Sequence, residues 1–176
     1  MSVQNLRCEY LINPIGIDIV RPRLSWEITS SERNVNQAAY RIMVAESRGA
    51  LQKTDDFFWD SGKVDSSNSV NVDYKGPELS SGQRVFWTVQ VWDQKGILHK
   101  AEIEAFWEMG ILKSDEWMAE WIETSWEENP EERNPAPFFR REFKVDGKIR
   151  SARLYSTAHG VYEARINGEP LGNYVF

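Results

Sequence analysis

Apolar and polar side chains alternate with a period of two along much of the chain, the pattern of strands that bury one face. The clearest example is the segment 84–92. One face carries Val85, Trp87, Val89 and Val91. The other face carries Phe86, Thr88, Gln90 and Trp92. This alternation predicts a strand whose first face lies in a core and whose second face is a mixed aromatic and polar surface.

Short segments of the same kind recur between turn-forming residues, at a spacing typical of β-sandwiches. They cover residues 24–29, 39–47, 57–62, 68–74 and 102–109. Residues 93–96 end in Gly96, which suits the positive φ of a hairpin turn. The pattern predicts an all-β, immunoglobulin/fibronectin-III-like sandwich over residues 1–112. Val85 stands where such domains usually carry a corner tyrosine, so we expect that hydroxyl hydrogen bond to be missing.

Residues 113–137 have the composition of a linker. Ser114 begins a stretch that favours one capped helical turn, with Trp117 and Trp121 on the same side of it. Residues 123–137 follow, an acidic stretch with three prolines and a run of glutamates at 127–132, and they predict a solvated loop or linker.

Strand signals resume after the linker, at residues 138–145, 151–157 and 161–166. Asn167-Gly168 predicts a type I′ hairpin turn into residues 169–176. This small number of strands would leave one sheet face and at least one edge uncovered. We therefore interpret residues 138–176 as the first strands of a second β-sandwich, jelly-roll-like and incomplete. Its open edges favour pairing between chains, which would give a homo-oligomer.

Composition narrows the functions that the chain can have. Hydrophobic residues make up 41% and aromatic residues 12% of it, which is typical of a folded protein. The net charge of −6 argues against nucleic acid as a partner. No apolar run approaches the ~20 residues that cross a bilayer, and the N-terminus lacks a signal-peptide pattern, so no membrane partner is expected and a cytoplasmic location is favoured. The single cysteine, Cys8, is expected to be a buried small apolar residue.

No arrangement of reactive side chains predicts catalysis. The acidic clusters at 55–56 and 127–132 lie among turn formers and are typical of solvated surface rather than of a catalytic pair. His99 and His159 have no partner at the spacing of a triad or a zinc site, and the glycines do not form a phosphate-binding loop. We therefore expect no catalytic residue, no metal and no cofactor in this segment.

Tryptophan is the residue type that leaves a choice open, because an indole can pack in a core or stack on a sugar. We expect Trp26, Trp59, Trp87 and Trp107 to lie in the core. Trp92 and Phe86, on the other face of the long strand, form either a ligand platform or a surface for Trp117 and Trp121; we favour packing. Trp126 either contacts sugar or holds down the acidic loop. The candidate carbohydrate contacts are Trp126, His159 and Trp92.

Several motifs follow one another in a specific order. They are NPIGID at 13–18, RPRLSW at 21–26, QAAYRI at 37–42, WDSGKV at 59–64, WTVQVWD at 87–93, PAPFFRREF at 135–143, SARLY at 151–155 and the hairpin at 162–168. In this order they resemble the N-terminal region of bacterial α-L-rhamnosidases, and the likeness covers nearly the whole chain. Order is rarely kept between unrelated sandwiches, so the combination is specific although each motif alone is weak.

The resemblance implies that hydrolysis takes place in an α/α barrel later in the same polypeptide. The implied reaction inverts the anomeric centre: one glutamate protonates the leaving oxygen while another carboxylate activates water. No residue here corresponds to those carboxylates. The implied partners are the downstream catalytic barrel and a rhamnose-containing glycan in the full enzyme. This segment would then be a spacer, a docking surface or an aid to substrate recognition.

Two other functions stay open at this point. The chain could be a carbohydrate-binding module that holds rhamnose-containing glycans through exposed aromatic rings. It could also be a freestanding structural or adhesive sandwich with no enzyme attached.

Overall fold

The computed structural model describes residues 1–53, 56–126, 131 and 135–172. They belong to two compact units, Met1–Trp121 and Ile122–Phe176. Most of the acidic run 127–132 lies outside the described residues, as does Asp55 of the other acidic cluster. None of the helices in the described ranges is long and apolar enough to span a bilayer.

The first unit is built from ten strands. In chain order they are β1 (Ser2–Cys8), β2 (Ile15–Ile17), β3 (Arg23–Thr29), β4 (Gln37–Ala45), β5 (Trp59–Asp60), β6 (Val64–Asp65), β7 (Val72–Asp73), β8 (Arg84–Asp93), β9 (Leu98–Lys100) and β10 (Ala105–Met109). Two short helical segments accompany them. These are α1 (Arg48–Leu51), capped by the Ser47 side chain, and a 3-10 turn at Ser114–Glu116.

The strands form two sheets of unequal width. One has three strands in the order β1-β3-β7, and the other has seven, in the order β2-β10-β8-β4-β5, with β6 also paired to β4 and β9 to β8. Neighbouring strands are antiparallel except β2 and β10, which run parallel. This arrangement confirms the all-β, immunoglobulin-like sandwich that the alternation predicts.

The core lies between the two sheets and follows the predicted faces. Val85, Trp87, Val89 and Val91 of β8 are fully buried, and residues on the opposite face of that strand are half-buried. Trp26 and Trp107 are buried as predicted, while Trp59 packs against the core from its edge. Cys8 is buried too, and burial, followed by the nearby Glu9 charge, raises the pKa of its thiol, as expected for a small apolar core residue.

The second unit contains a single hairpin within residues 135–172. Its strands are β11 (Arg165–Ile166) and β12 (Glu169–Pro170). Asn167 and Gly168 have φ values of 53° and 87°, which confirms the predicted type I′ turn. The strands predicted at 138–145 and 151–157 are not formed, because an extended segment becomes a strand only beside another that accepts and donates its backbone hydrogen bonds.

The helical turn after the sandwich is shorter than predicted. It is a 3-10 turn that ends at Trp117, whose backbone is extended, with φ −75° and ψ 111°. Ser114 lies inside the turn and does not cap it. Trp117 and Trp121 are therefore not one helical turn apart, and the prediction that they share a helix side is wrong.

Candidate functional site

Several chain segments meet at the end of the sandwich from which the chain leaves it. β1 ends there, since Cys8 pairs with Leu24 at the start of β3. β10 ends there as well, because Glu108 pairs with Arg84 at the start of β8 and with Ile15 of β2. We call this region, residues 9–20 together with residues 110–112, the exit end.

The exit end exposes a large amount of apolar surface. Six large apolar side chains within eleven residues have exposed fractions between 39% and 64%; they are Tyr10, Leu11, Ile12, Ile15, Ile19 and Val20. Isolated exposed apolar residues are common on soluble proteins, but such a concentration in one segment usually marks a contact surface.

A strained turn presents the first of these side chains. Glu9 and Tyr10 have φ values of 48° and 66°, in the left-handed region that non-glycine residues seldom adopt. Two reciprocal backbone hydrogen bonds between Cys8 and Leu11, of 3.0 and 2.9 Å, close the turn. Strain of this kind persists only where other contacts enforce it.

The carboxylate of Glu9 supplies those contacts. It accepts the Arg23 backbone N–H at 2.6 Å and a bidentate pair of hydrogen bonds from the Arg23 guanidinium. These hydrogen bonds, opposed in part by burial, lower the pKa of Glu9 below its ordinary value. The guanidinium of Arg23 also lies 5.2 Å from the centroid of the Tyr10 ring. The charged pair of Glu9 and Arg23 thus holds the turn in its strained conformation.

Hydrogen bonds from backbone N–H groups tie the rest of the exit end to the body of the sandwich. The Asn13 side-chain oxygen accepts the Phe106 N–H at 2.9 Å, and the Ile17 carbonyl accepts the Gly110 N–H at 2.7 Å. The Leu112 N–H donates to the Ser81 hydroxyl at 2.8 Å. The apolar side chains are therefore carried by an anchored segment that includes β2, which suits a surface that binds without reordering.

Trp92, a candidate carbohydrate contact, lies half-buried on the outer face of β8 with the Lys63 ammonium 4.9 Å from its ring centroid. The neighbouring aromatic rings carry cations as well: Arg48 lies over Phe86 and Arg84 over Phe106. This face is thus partly covered by cations of its own chain. Trp92 stays a prediction as a sugar contact.

The alternative that we favoured for this face, packing of Trp117 and Trp121 against Phe86 and Trp92, stays a prediction. Trp117 and Trp121, which belong to the same unit as β8, have exposed fractions of 39% and 66%.

The other two candidate contacts belong to the second unit. Trp126 has an exposed fraction of 47%, and His159 is exposed. Trp92, the third candidate, lies in the first unit. Their role in sugar binding stays a prediction.

The other histidine, His99, stabilises the turn between β8 and β9. The Nε2 atom of His99 lies 3.3 Å from Asp93 Oδ2, while Asp93 Oδ1 accepts the backbone N–H groups of Lys95 and Ile97. Burial opposes ionisation of Asp93, but these hydrogen bonds outweigh it and lower the pKa of the carboxyl. The pair closes the β8–β9 turn. In the parts of the chain that the structure describes, no three His, Cys, Asp or Glu side chains are placed to hold a metal ion.

Comparison with known proteins identifies the sandwich. The family model described as the Rha78A-like, N-terminal immunoglobulin domain matches residues 3–113. The chain belongs to this family. Membership in the Rha78A-like N-terminal domains confirms the resemblance drawn from the ordered motifs, and the match ends just after the exit end.

Two curated relatives of this Rha78A-like chain are both named alpha-L-rhamnosidase. The protein from Streptomyces avermitilis is 35% identical over 187 residues, which cover 96% of this chain and 18% of the relative. The protein from Formosa agariphila is 35% identical over 169 residues, covering 93% of this chain and 18% of the relative. The chain therefore spans less than one fifth of the curated relatives that it matches.

Solved structures share the fold. The Streptomyces avermitilis alpha-L-rhamnosidase complexed with L-rhamnose superimposes with a TM-score of 0.65 and 40% identity, covering 69% of this chain and 12% of that one. The alpha-L-rhamnosidase from Dictyoglumus thermophilum gives a TM-score of 0.67 and 34% identity, covering 71% and 14%.

The exit end was not among the candidates taken from the sequence. Its signal is the segment YLINPIGIDIV at 10–20, which is rich in apolar residues but has neither strict alternation nor helical spacing. Apolar residues without a period, interrupted by Asn-Pro and Gly, indicate a loop that exposes them.

Proposed function

We propose that this chain is the N-terminal, non-catalytic portion of an α-L-rhamnosidase. In this proposal residues 1–112 are a spacer and docking domain, residues 113–137 a linker, and residues 138–176 the first part of a second β domain. The observation that carries it is coverage: relatives named alpha-L-rhamnosidase align with almost all of this chain, which accounts for only 18% of their length. Inverting hydrolysis of terminal α-L-rhamnose is the activity we propose for the whole polypeptide.

The exit end is the proposed docking surface, and its occupant is the catalytic part of the same polypeptide. Apolar side chains such as Leu11 and Ile12 need a partner to cover them, and this end of the sandwich is the one nearest to the following domains along the chain. A tethered partner is present at a high effective concentration, so a modest apolar area suffices for docking.

Exposure in the second unit supports the proposal that residues 138–176 belong to a larger β domain. Phe138, Phe143 and Val161 have exposed fractions of 98%, 76% and 81%. Side chains of this kind form the inner face of a sheet when the other sheet of a sandwich is present. Further strands of the polypeptide would cover them.

The direct test begins with the coding region after Phe176. The proposal expects several hundred further codons, and the encoded polypeptide should release 4-nitrophenol from 4-nitrophenyl α-L-rhamnoside, while the 176-residue chain alone should not. A stop codon at that point would instead support a freestanding sandwich. Turnover by the 176-residue chain that is abolished by changing one of its own acidic residues would overturn the non-catalytic assignment.

A further inference from the structure

The unequal width of the two sheets leaves a groove on one side of the sandwich. The three-stranded sheet ends at β7, whereas the seven-stranded sheet continues to β5 and β6. Inward-facing residues near that edge of the wider sheet are therefore only partly covered. The resulting groove has a volume of about 400 Å³, within the range of small-ligand sites in proteins.

Two half-buried aromatic rings form the floor of the groove. Tyr40 contacts Trp26 edge to face at a centroid distance of 5.2 Å, and Trp59 contacts Tyr74 in the same way at 5.0 Å. These contacts fix both floor rings against core residues while the rings still line the groove. Rigid aromatic surface next to solvent is what stacking on a flat apolar ligand face requires.

The rim carries hydrogen-bonding groups with little net charge. Asp60 is already neutralised by a bidentate pairing with Arg41, so the remaining rim charges are those of Asp73 and Lys75. The charge of Asp73 acts on the nearby Arg23 and Tyr40 side chains, but within the described ranges neither Asp73 nor Lys75 forms an ion pair within 4 Å. The groove thus offers donors and acceptors in balance.

The walls beside these groups are held in place by the core. The Trp26 indole N–H donates to Gln37 at 2.9 Å, and the Gln37 amide donates in turn to the backbone carbonyls of Ser66 and Asn68 at 3.0 and 2.8 Å. On the other side, the Ser61 hydroxyl accepts the Ile42 N–H at 2.8 Å. A groove with anchored walls loses little conformational entropy when a ligand enters.

We propose that this groove binds a neutral sugar ring, with Tyr40 and Trp59 beneath the ring and Asp73, Lys75 and the Asn71 amide around its hydroxyls. Balanced charge on the rim disfavours strongly anionic or cationic ligands. A pyranose presents one apolar face and several hydroxyls, which matches an aromatic floor with a polar rim. The inference depends on the proposed function only for the choice of L-rhamnose as the first probe.

The test is a titration of the 176-residue chain, followed by two-dimensional amide NMR, with L-rhamnose, D-galactose and D-glucose in turn. We expect saturable shifts confined to residues 40–42, 59–64 and 68–75, with a dissociation constant on the order of millimolar for at least one sugar. Tyr40→Phe should weaken binding by about three- to tenfold because it removes a hydroxyl from the groove floor that can hydrogen-bond the ligand. Asp73→Asn should weaken it by a similar factor because it replaces charge-assisted hydrogen bonds to the sugar hydroxyls with neutral ones.

Matched control variants outside the groove distinguish a loss of groove contacts from a general effect of the substitution on the protein. Asp115→Asn is the control for Asp73→Asn, since both carboxylates are exposed and Asp115 lies outside both the groove and the exit end. Asn34→Gly is the control for Asn71→Gly, because both asparagines have left-handed backbones, with φ of 59° and 54°. The control variants should bind as the unchanged chain does, while Asn71→Gly should bind more weakly. Equal weakening in variant and control would overturn the assignment.

Two further outcomes would overturn the inference. One is the absence of saturable shifts with all three sugars up to about 100 mM, well above a millimolar dissociation constant. The other is a set of shifts centred on Trp92, Trp126 or His159. If the longer polypeptide still cleaves the aryl rhamnoside in either case, only the groove fails. Sugar binding in the groove together with an inactive longer polypeptide would instead leave this inference standing and overturn the proposed function.

Discussion

Glu9 stabilises a turn that its own backbone disfavours. A left-handed conformation costs a non-glycine residue about 1–2 kcal/mol, and both Glu9 and Tyr10 adopt it. The hydrogen bonds from Arg23 to the Glu9 carboxylate offset that cost and hold Tyr10 and Leu11 in position. The positions of Tyr10 and Leu11 at the exit end therefore depend on one charged pair.

Glu9→Gln is expected to lower the free energy of unfolding by about 1–2 kcal/mol at pH 7, because a neutral amide pairs less well with a guanidinium. The folded-state pKa of Glu9 lies below the ordinary value of 4.5, so its contribution is complete above that value and is lost as the pH falls through the folded-state pKa. The difference between variant and unchanged chain, measured by urea unfolding, should shrink at acid pH.

Glu32→Gln is the control for this prediction. Glu32 pairs with Lys95 at 3.6 Å, but both side chains are well exposed, and such pairs contribute little. A Glu9→Gln effect that is no larger than that of Glu32→Gln, or that does not change with pH, would count against the role given to Glu9.

At the scale of secondary-structure elements, the length of a strand and its position in the sheet decide whether the sequence predicts it. β8 and β4 alternate over many residues and lie in the middle of the wide sheet, so their sequences identify them. β5, β6 and β7 have two residues each, and β2 has three; such edge strands are set by pairing with neighbours that a sequence does not display. The sequence does not predict β1 for another reason: a bulge near Asn5 breaks the alternation of apolar and polar residues along that strand.

The turn after β7 depends on a close approach between a ring and a glycine. The hydroxyl of Tyr74 donates to the Pro77 carbonyl at 2.8 Å, so Tyr74 supplies a hydroxyl bond of the kind that Val85 cannot. Burial raises the pKa of Tyr74 to about 12. A Cβ atom on Gly76 would lie 2.4 Å from the Tyr74 hydroxyl oxygen, which leaves no room for a side chain.

Gly76→Ala is therefore expected to lower the free energy of unfolding by about 1–3 kcal/mol, the usual cost of overpacking. Gly49→Ala is the matched control. Gly49 lies in α1, where a Cβ would meet nothing within 4 Å, so alanine there should be neutral or stabilising. Thermal unfolding of both variants measures the contrast, and a Gly76→Ala variant as stable as Gly49→Ala would show that the turn has room to spare.

On the scale of the whole molecule, the two units differ in how much they bury. The first unit encloses Trp26, Trp87 and Trp107, whereas nearly all described residues of the second are exposed. Cooperative unfolding requires a buried core. The first unit should therefore account for the measured stability of the chain.

We predict a single cooperative transition in calorimetry of the 176-residue chain, at the same temperature as in a chain of residues 1–121. Because the described residues between 138 and 172 form only one two-stranded hairpin, whose edges are open, we also expect light scattering to detect association that residues 1–121 do not show. A clean monomer with a second cooperative transition would contradict both expectations.

The sequence patterns predict which residues form the core and which family the chain resembles. They do not reveal the exit end or the groove, the two surfaces proposed for function. Burial follows period-two alternation, and motif order survives divergence, so both are readable along the chain. The groove arises because β7 ends the narrow sheet while β5 and β6 extend the wide one, a difference between two edges that no linear pattern contains. The Lys63 contact with Trp92 is likewise set by the pairing of β6 with β4.

The central claim is that the exit end docks on the catalytic part of a longer polypeptide. Two matched double variants test it: Leu11→Ser with Ile12→Ser at the exit end, and Ile97→Ser with Leu98→Ser at the β8–β9 turn. The exposed fractions are 55% and 64% in the first pair and 52% and 41% in the second. In the 176-residue chain the two variants should lower the unfolding temperature by similar, small amounts, since all four side chains are substantially exposed.

The deciding measurement is calorimetry of the longer polypeptide carrying each double variant. We predict that the exit-end variant separates the unfolding of the N-terminal sandwich from that of the catalytic part and moves it to lower temperature, while the turn variant leaves the profile unchanged. Equal effects of the two variants, or no effect of either, would contradict docking through the exit end.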